Sequence, residues 1–161
     1  QTNTIYQNAF SLENSDLVFE NNTIYFSNNK NEFYSMDART GAVKWAQSIN
    51  SSLRPTIIEN LIFTVSNEGY FFIIDDPTGN IIRITDVLKN FKDKLEIKPI
   101  GFIYAKNKVY VSLSNGRLIT INSSTGIQEN IKKINNSKIS RPYILNNSMY
   151  LIKDNALVKI E

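Results

Sequence analysis

The residues in this chain best suited to chemistry lie in one recurring stretch. Asp37-Ala38-Arg39-Thr40-Gly41-Ala42-Val43-Lys44-Trp45 places a carboxylate, two cations and an indole close together. The stretch returns as Asp75-Asp76-Pro77-Thr78-Gly79 and again as Asn122-Ser123-Ser124-Thr125-Gly126. Adjacent acids such as Asp75 and Asp76 could share acid-base work or ligate a hard cation. The recurrence argues for a plainer reading. A type I turn closed by a left-handed glycine accepts Pro at its second position and wants Gly at its fourth. Positions 76–79 meet those demands, so 38–41 and 123–126 should take the same shape. Asp37, Asp75 and Asn122 stand just before it, where a short polar side chain can accept from free turn amides. Both members of the Asp75-Asp76 pair are thereby assigned to a turn. No catalytic, cofactor-binding or metal-binding residue is assigned.

Composition narrows the chemistry further. The 161 residues include no Cys and no His. That excludes a disulfide framework, thiolate or imidazole metal ligands, and a Ser-His or Cys-His nucleophile. The net charge of +3 is a dispersed excess of 18 Lys and Arg over 15 Asp and Glu. Its densest group, Lys89, Lys92, Lys94 and Lys98, is interrupted by Asp93 and Glu96. A nucleic-acid surface concentrates its cations, so a solvated face is the better reading and no nucleic-acid partner is expected. No apolar run approaches the ~18 residues of a membrane span. Gln1-Thr2-Asn3-Thr4 has neither an initiator Met nor a leader pattern, which suggests a mature protein or a piece of a longer one.

Strands and turns must position these residues, and they repeat with a period near 40. Gly41, Gly79 and Gly126 mark it, as do Tyr25, Phe63, Tyr110 and Tyr150, and Pro55, Pro99 and Pro142. That period is the size of a four-stranded propeller blade. Within the first unit, residues 17–19, 23–27, 33–36 and 42–45 read as strands A to D. Asn21-Asn22 supplies the positive φ angles of a tight A–B hairpin. Units two and three repeat the plan, with Gly69 and Gly116 in their B–C turns, and the fourth yields only strands A to C. The expected fold is all-β, a β-propeller of four-stranded antiparallel blades, with about three and a half to four blades in this chain. One partial propeller domain spans 1–161, with blades at about 11–48, 53–86, 98–135 and 140–161, the last incomplete. Residues 1–10, with a strand-like run at 4–10, would be a strand of a preceding blade or a closing strand. Residues 86–95 break the pattern: apolar Val87, Leu88, Phe91 and Leu95 follow helical spacing, and Asp86 suits an N-cap. A short amphipathic helix inserted between blades two and three is expected there.

The blade motif resembles the pyrroloquinoline-quinone-type β-propeller repeat family. The resemblance rests on Asp37, Thr40, Gly41 and Trp45 in the first copy. In the second it rests on Gly69, Asp75, Thr78 and Gly79, with Arg83 where Trp is expected. In the third it rests on Gly116, Asn122, Thr125 and Gly126, with Asn130 in the Trp place. The catalytic members of the family hold a quinone and a calcium ion on the propeller axis, and many add a vicinal disulfide. This chain has no Cys, a single Trp and no carboxylate placed to suggest such a ligand, so no cofactor is expected. The non-catalytic branch fits better. It includes the eight-bladed propeller lipoprotein of the outer-membrane β-barrel assembly machinery, whose C-terminal half looks similar.

The resemblance thus implies a non-enzymatic cell-envelope scaffold or protein-binding propeller, with outer-membrane protein assembly as its setting. It further implies a location in the periplasm or on the periplasmic face of the outer membrane, with membrane attachment only through an upstream lipid anchor if one is present. Two alternatives are a fragment of a quinone-dependent dehydrogenase and a ligand- or polysaccharide-binding propeller. The missing fourth strand suggests that residues 5–10 complete the last blade or that two half-propellers pair as a homodimer.

Overall fold

The computed structural model describes residues 12–160. Four separate antiparallel sheets follow one another along the chain. The first contains β1 (Val18–Glu20), β2 (Thr23–Asn28), β3 (Glu32–Asp37) and β4 (Val43–Gln47). The second contains β5 (Thr56–Ile58), β6 (Leu61–Val65), β7 (Tyr70–Asp75) and β8 (Ile81–Asp86). The third contains β9 (Pro99–Ala105), β10 (Lys108–Leu113), β11 (Arg117–Asn122) and β12 (Gln128–Lys133). The fourth has three strands, β13 (Tyr143–Leu145), β14 (Ser148–Lys153) and β15 (Ala156–Ile160). Strands pair strictly with their sequence neighbours, the up-and-down meander of a propeller blade. The strand-like run at 4–10 lies outside the described residues.

Paired residues of positive φ at three hairpin tips, five of the six of them Asn, make these tight reversals. Asn21 and Asn22 sit at φ 47° and 60°, Lys106 and Asn107 at 49° and 60°, and Asn146 and Asn147 at 48° and 59°. Positive φ at both loop residues matches the right-handed twist of the flanking strands. Asn tolerates that region better than most side chains.

The cores lie between blades. In β7 alternate residues face opposite ways, as the two-residue period of a strand requires. Phe72 and Ile74 pack with Ile62, Tyr25, Phe33 and Ile49 toward the first blade. Phe71 and Ile73 pack with Phe63, Val65, Val109 and Val111 toward the third. This explains why Phe71-Phe72-Ile73-Ile74 is a continuous apolar run, since both faces of a middle blade are covered. Each fully buried side chain of this kind contributes about 1.5–3 kcal/mol over its exposed state.

The inserted helix expected at 86–95 does not form. Asp86 ends strand β8, turns follow it, and the sole helical element among the described residues is one 3-10 turn at Lys94–Glu96. The physical reason is local. The Asp86 carboxylate does accept from a downstream amide, Leu88 N–H at 2.8 Å, but it also pairs with Lys94 at 2.6 Å. Val87 N–H donates to the Gly69 carbonyl, which ties the segment to the B–C turn. Val87 and Leu88 are thus drawn into the core while Leu95, on the expected apolar face, is 92% exposed. Packing of two adjacent residues overrides a four-residue helical pattern, and a run this short has no propagation to offset helix nucleation.

Candidate functional site: the joint between blades

The three recurring turns share one hydrogen-bond plan. Gly41, Gly79 and Gly126 adopt φ of 73°, 73° and 66°. Their amides donate to the carbonyls of Asp37, Asp75 and Asn122 at 2.9, 2.8 and 2.8 Å. The closing bond therefore spans five residues, one more than the type I turn read from the sequence. The residue before the loop accepts as anticipated. Asp37 Oδ1 takes the amides of Arg39 and Thr40 at 3.1 and 2.8 Å and the Thr40 hydroxyl at 2.8 Å. Asp75 takes the Thr78 amide at 3.1 Å and also the Thr78 hydroxyl. Asn122 takes the Ser124 and Thr125 amides at 3.1 and 3.0 Å. Each Thr hydroxyl then accepts from the amide two residues on, at 3.3, 3.2 and 3.2 Å. The Thr-Gly pair is thereby explained: Thr braces the loop and Gly supplies its left-handed step. These bonds hold the Asp37 carboxyl below the usual carboxylate range, with the Thr40 hydroxyl the largest cause.

Two of these turns also seat against the preceding blade. The Trp45 indole N–H donates to the Asp76 carbonyl at 2.7 Å, and Gln47 donates its amide to the Gly79 carbonyl at 2.7 Å. Trp45 stacks on Phe33 with ring centres 5.8 Å apart and planes 8° apart. The indole lies so close to Gly79 that an added Cβ would stand 2.6 Å from it. Asp76 is not spent on the turn, contrary to the sequence reading. Its carboxylate instead accepts from the Tyr25 hydroxyl at 2.6 Å, across the joint. Burial first, then this hydrogen bond and charge, push the Tyr25 phenol far above its ordinary value.

The next joint repeats the geometry with different side chains. Arg83, in the Trp place, lies over Gly126, and the Thr85 hydroxyl donates to the Gly126 carbonyl at 2.6 Å. Gly69 and Gly116 stand in the B–C turns, packed against Leu88 and the Asn135 carbonyl. The twelve motif residues are thus distributed over three turns, two B–C loops and Trp45, and do not converge on one centre. Among the described residues no three carboxylates group closely enough to hold a metal ion. Tyr25, Gln47, Asp76 and Thr85 belong to the joints and carry no motif of their own. Only the register that sets Tyr25 one blade from Asp76 could have marked them.

Comparison with known proteins agrees with this architecture. The sequence profile of the family described as outer membrane protein assembly factor BamB matches residues 2–85, just over half of the 161-residue chain. No curated protein matches it by sequence. Among solved structures, BamB from Moraxella catarrhalis superposes with a TM-score of 0.73 at 14% identity, over 90% of this chain and 41% of that one. The computationally designed Ika4 protein superposes at 0.69 and 13% identity, over 89% of this chain and 88% of that one. Quinohemoprotein alcohol dehydrogenase from Comamonas testosteroni superposes at 0.62 and 14% identity, over 73% and 20%. The chain thus spans less than half the length of the BamB structure. At these identities the structural likeness carries the fold alone.

Proposed function

The chain belongs to the BamB family of outer membrane protein assembly factors, and from that premise we propose that it is a non-catalytic, protein-binding propeller scaffold of the cell envelope. One observation supports this most: the acids of the recurring stretches are engaged in bracing turns and a joint. Asp37 and Asp75 close turns, and Asp76 holds Tyr25 across a blade boundary. A carboxylate used in this way has little capacity left to ligate a cofactor's cation. Exposed sheet edges offer a mode of partner binding by strand addition. The proposed setting is the periplasm, in outer-membrane protein assembly, with other proteins as partners. Among the described residues no helix is long and apolar enough to cross a membrane.

The alternative is a fragment of a quinone-dependent dehydrogenase, a class of protein that shares the blade fold. Two measurements separate the readings. Cross-linking of the tagged chain in the bacterial envelope should yield a defined set of outer-membrane assembly proteins. Addition of pyrroloquinoline quinone and calcium should leave the melting temperature unchanged, whereas a tight ligand at a hundredfold its Kd stabilises by about 2.7 kcal/mol. Quinone-dependent stabilisation with alcohol oxidation would overturn the scaffold reading.

A further inference from the structure

The first strands of three blades, β1, β5 and β9, line one cleft of about 490 Å³, and each is the end strand of its sheet. Among the described residues no strand pairs with their outward edges, which offer backbone donors and acceptors as a template for an added strand. Strand register makes positions comparable from blade to blade. The pairs Val18 with Tyr25, Thr56 with Phe63, Ile103 with Tyr110 and Tyr143 with Tyr150 are equivalent. Two residues upstream of each first member stand Asp16, Arg54, Gly101 and Arg141. Blades two and four thus present guanidinium groups, and the blade between them presents no side chain.

Gly101 is needed there for space. Its backbone lies outside the left-handed region, but a Cβ would stand 2.6 Å from Arg141 Cβ and 2.9 Å from Arg141 Cγ. Arg54 and Arg141 line both this cleft and the smaller one adjoining it, and Phe102 walls both. Among the described residues neither arginine forms an ion pair. The buried Arg141 Nε has no hydrogen-bond partner among the described residues, and its guanidinium lies 5.5 Å over the Tyr143 ring. The carboxylates at the clefts, Asp16 and Glu20, both come from the first blade, whereas the arginines come from blades two and four.

We propose that this cleft binds an extended acidic peptide segment, with a carboxylate held between Arg54 and Arg141 above Gly101. Guanidinium forks match a carboxylate in geometry and charge, and the strand edges supply main-chain bonds. Asp16 and Glu20 repel acid at the first blade and so bias the acidic side chain toward the arginines. The inference deepens the scaffold reading by naming the partner's chemistry, and it rests on that reading for its biological sense.

The test is fluorescence anisotropy of a short labelled peptide alternating valine and glutamate, against its valine–lysine counterpart. The wild-type chain should bind the glutamate peptide and not the lysine one. R54Q and R141Q should each weaken binding on the order of tenfold or more, and G101V should do the same by crowding Arg141. Arg54 is exposed, so R54Q should keep the wild-type melting temperature and serve as the folded control. Failure of the wild-type to bind the glutamate peptide would overturn the proposal, as would equal affinity in R54Q. Envelope partners still cross-linked to R54Q and R141Q would refute the cleft as the docking site while leaving the scaffold reading intact.

Discussion

The joint between blades one and two and the joint between blades two and three carry the same load with unlike parts. In the first, Trp45 stacks on Phe33 and donates to the Asp76 carbonyl, and Tyr25 reaches the Asp76 carboxylate. In the second, Arg83 lies over Gly126 and Thr85 holds the Gly126 carbonyl. The turn presented to each is the same to within a few tenths of an ångström in its hydrogen bonds. The difference teaches where tolerance lies. A turn is a closed set of backbone bonds and permits few substitutions, whereas its seat needs only a flat or long side chain that covers a glycine. Trp and Arg both do so, Arg by laying its methylene stem along the surface.

Substitution at the two seats should separate them most. Trp45→Ala removes an aromatic stack and an interblade hydrogen bond, and should cost about 3 kcal/mol in urea unfolding. Arg83→Ala at the matching place removes an exposed stem and should cost about 1 kcal/mol or less. Equal costs would dissolve the distinction between the joints.

The turn glycines refine it. Gly41, Gly79 and Gly126 all have positive φ, so alanine at any of them should cost about 1–2 kcal/mol from the backbone alone. Gly41 meets no atom within 4 Å, so its variant should show that cost and no more. Gly79→Ala must also displace the Trp45 indole, which adds about 1–3 kcal/mol. Gly126→Ala meets the flexible Arg83 stem and should fall between. Any other order of the three melting temperatures would break the comparison.

Much of this was legible in the sequence, and the reason is repetition. Asp or Asn followed by Thr-Gly fixes a turn by local hydrogen bonds alone, so Asp37, Asp75 and Asn122 could be read without knowing what surrounds them. The strands were legible because Phe71-Phe72-Ile73-Ile74 and its counterparts sit between such turns. The joints were not, because Tyr25 and Asp76 lie far apart in the chain and meet only once two blades pack. Asp76 looked like a second turn residue for the same reason. The segment after Asp86 misled because helical spacing of Val87, Leu88 and Phe91 is also what a turn folded onto a core produces.

Two pH effects, smaller than the substitutions, follow from the joint and the turn. The Tyr25 phenol is raised in the folded state, so its contribution is fully present below the ordinary tyrosine value of about 10. It is lost as pH rises through the raised folded value. Wild-type stability should therefore fall more steeply above about pH 10 than that of Tyr25→Phe. Asp37 is lowered, so its contribution is present above the ordinary carboxylate range and lost as pH falls through the lowered value. Asp37→Asn, which keeps an accepting oxygen, should show a shallower loss of stability in acid. Because Asp37 is only half-buried and its charge is screened by solvent, this is the smallest effect of the set.

A double-mutant cycle of Tyr25→Phe and Asp76→Asn, followed by urea unfolding, tests most directly that the Asp76 turn is seated as an interblade joint. The structure predicts that each single change destabilises and that the pair couples by about 1 kcal/mol or more. Additive effects, with no coupling between the two residues, would contradict it.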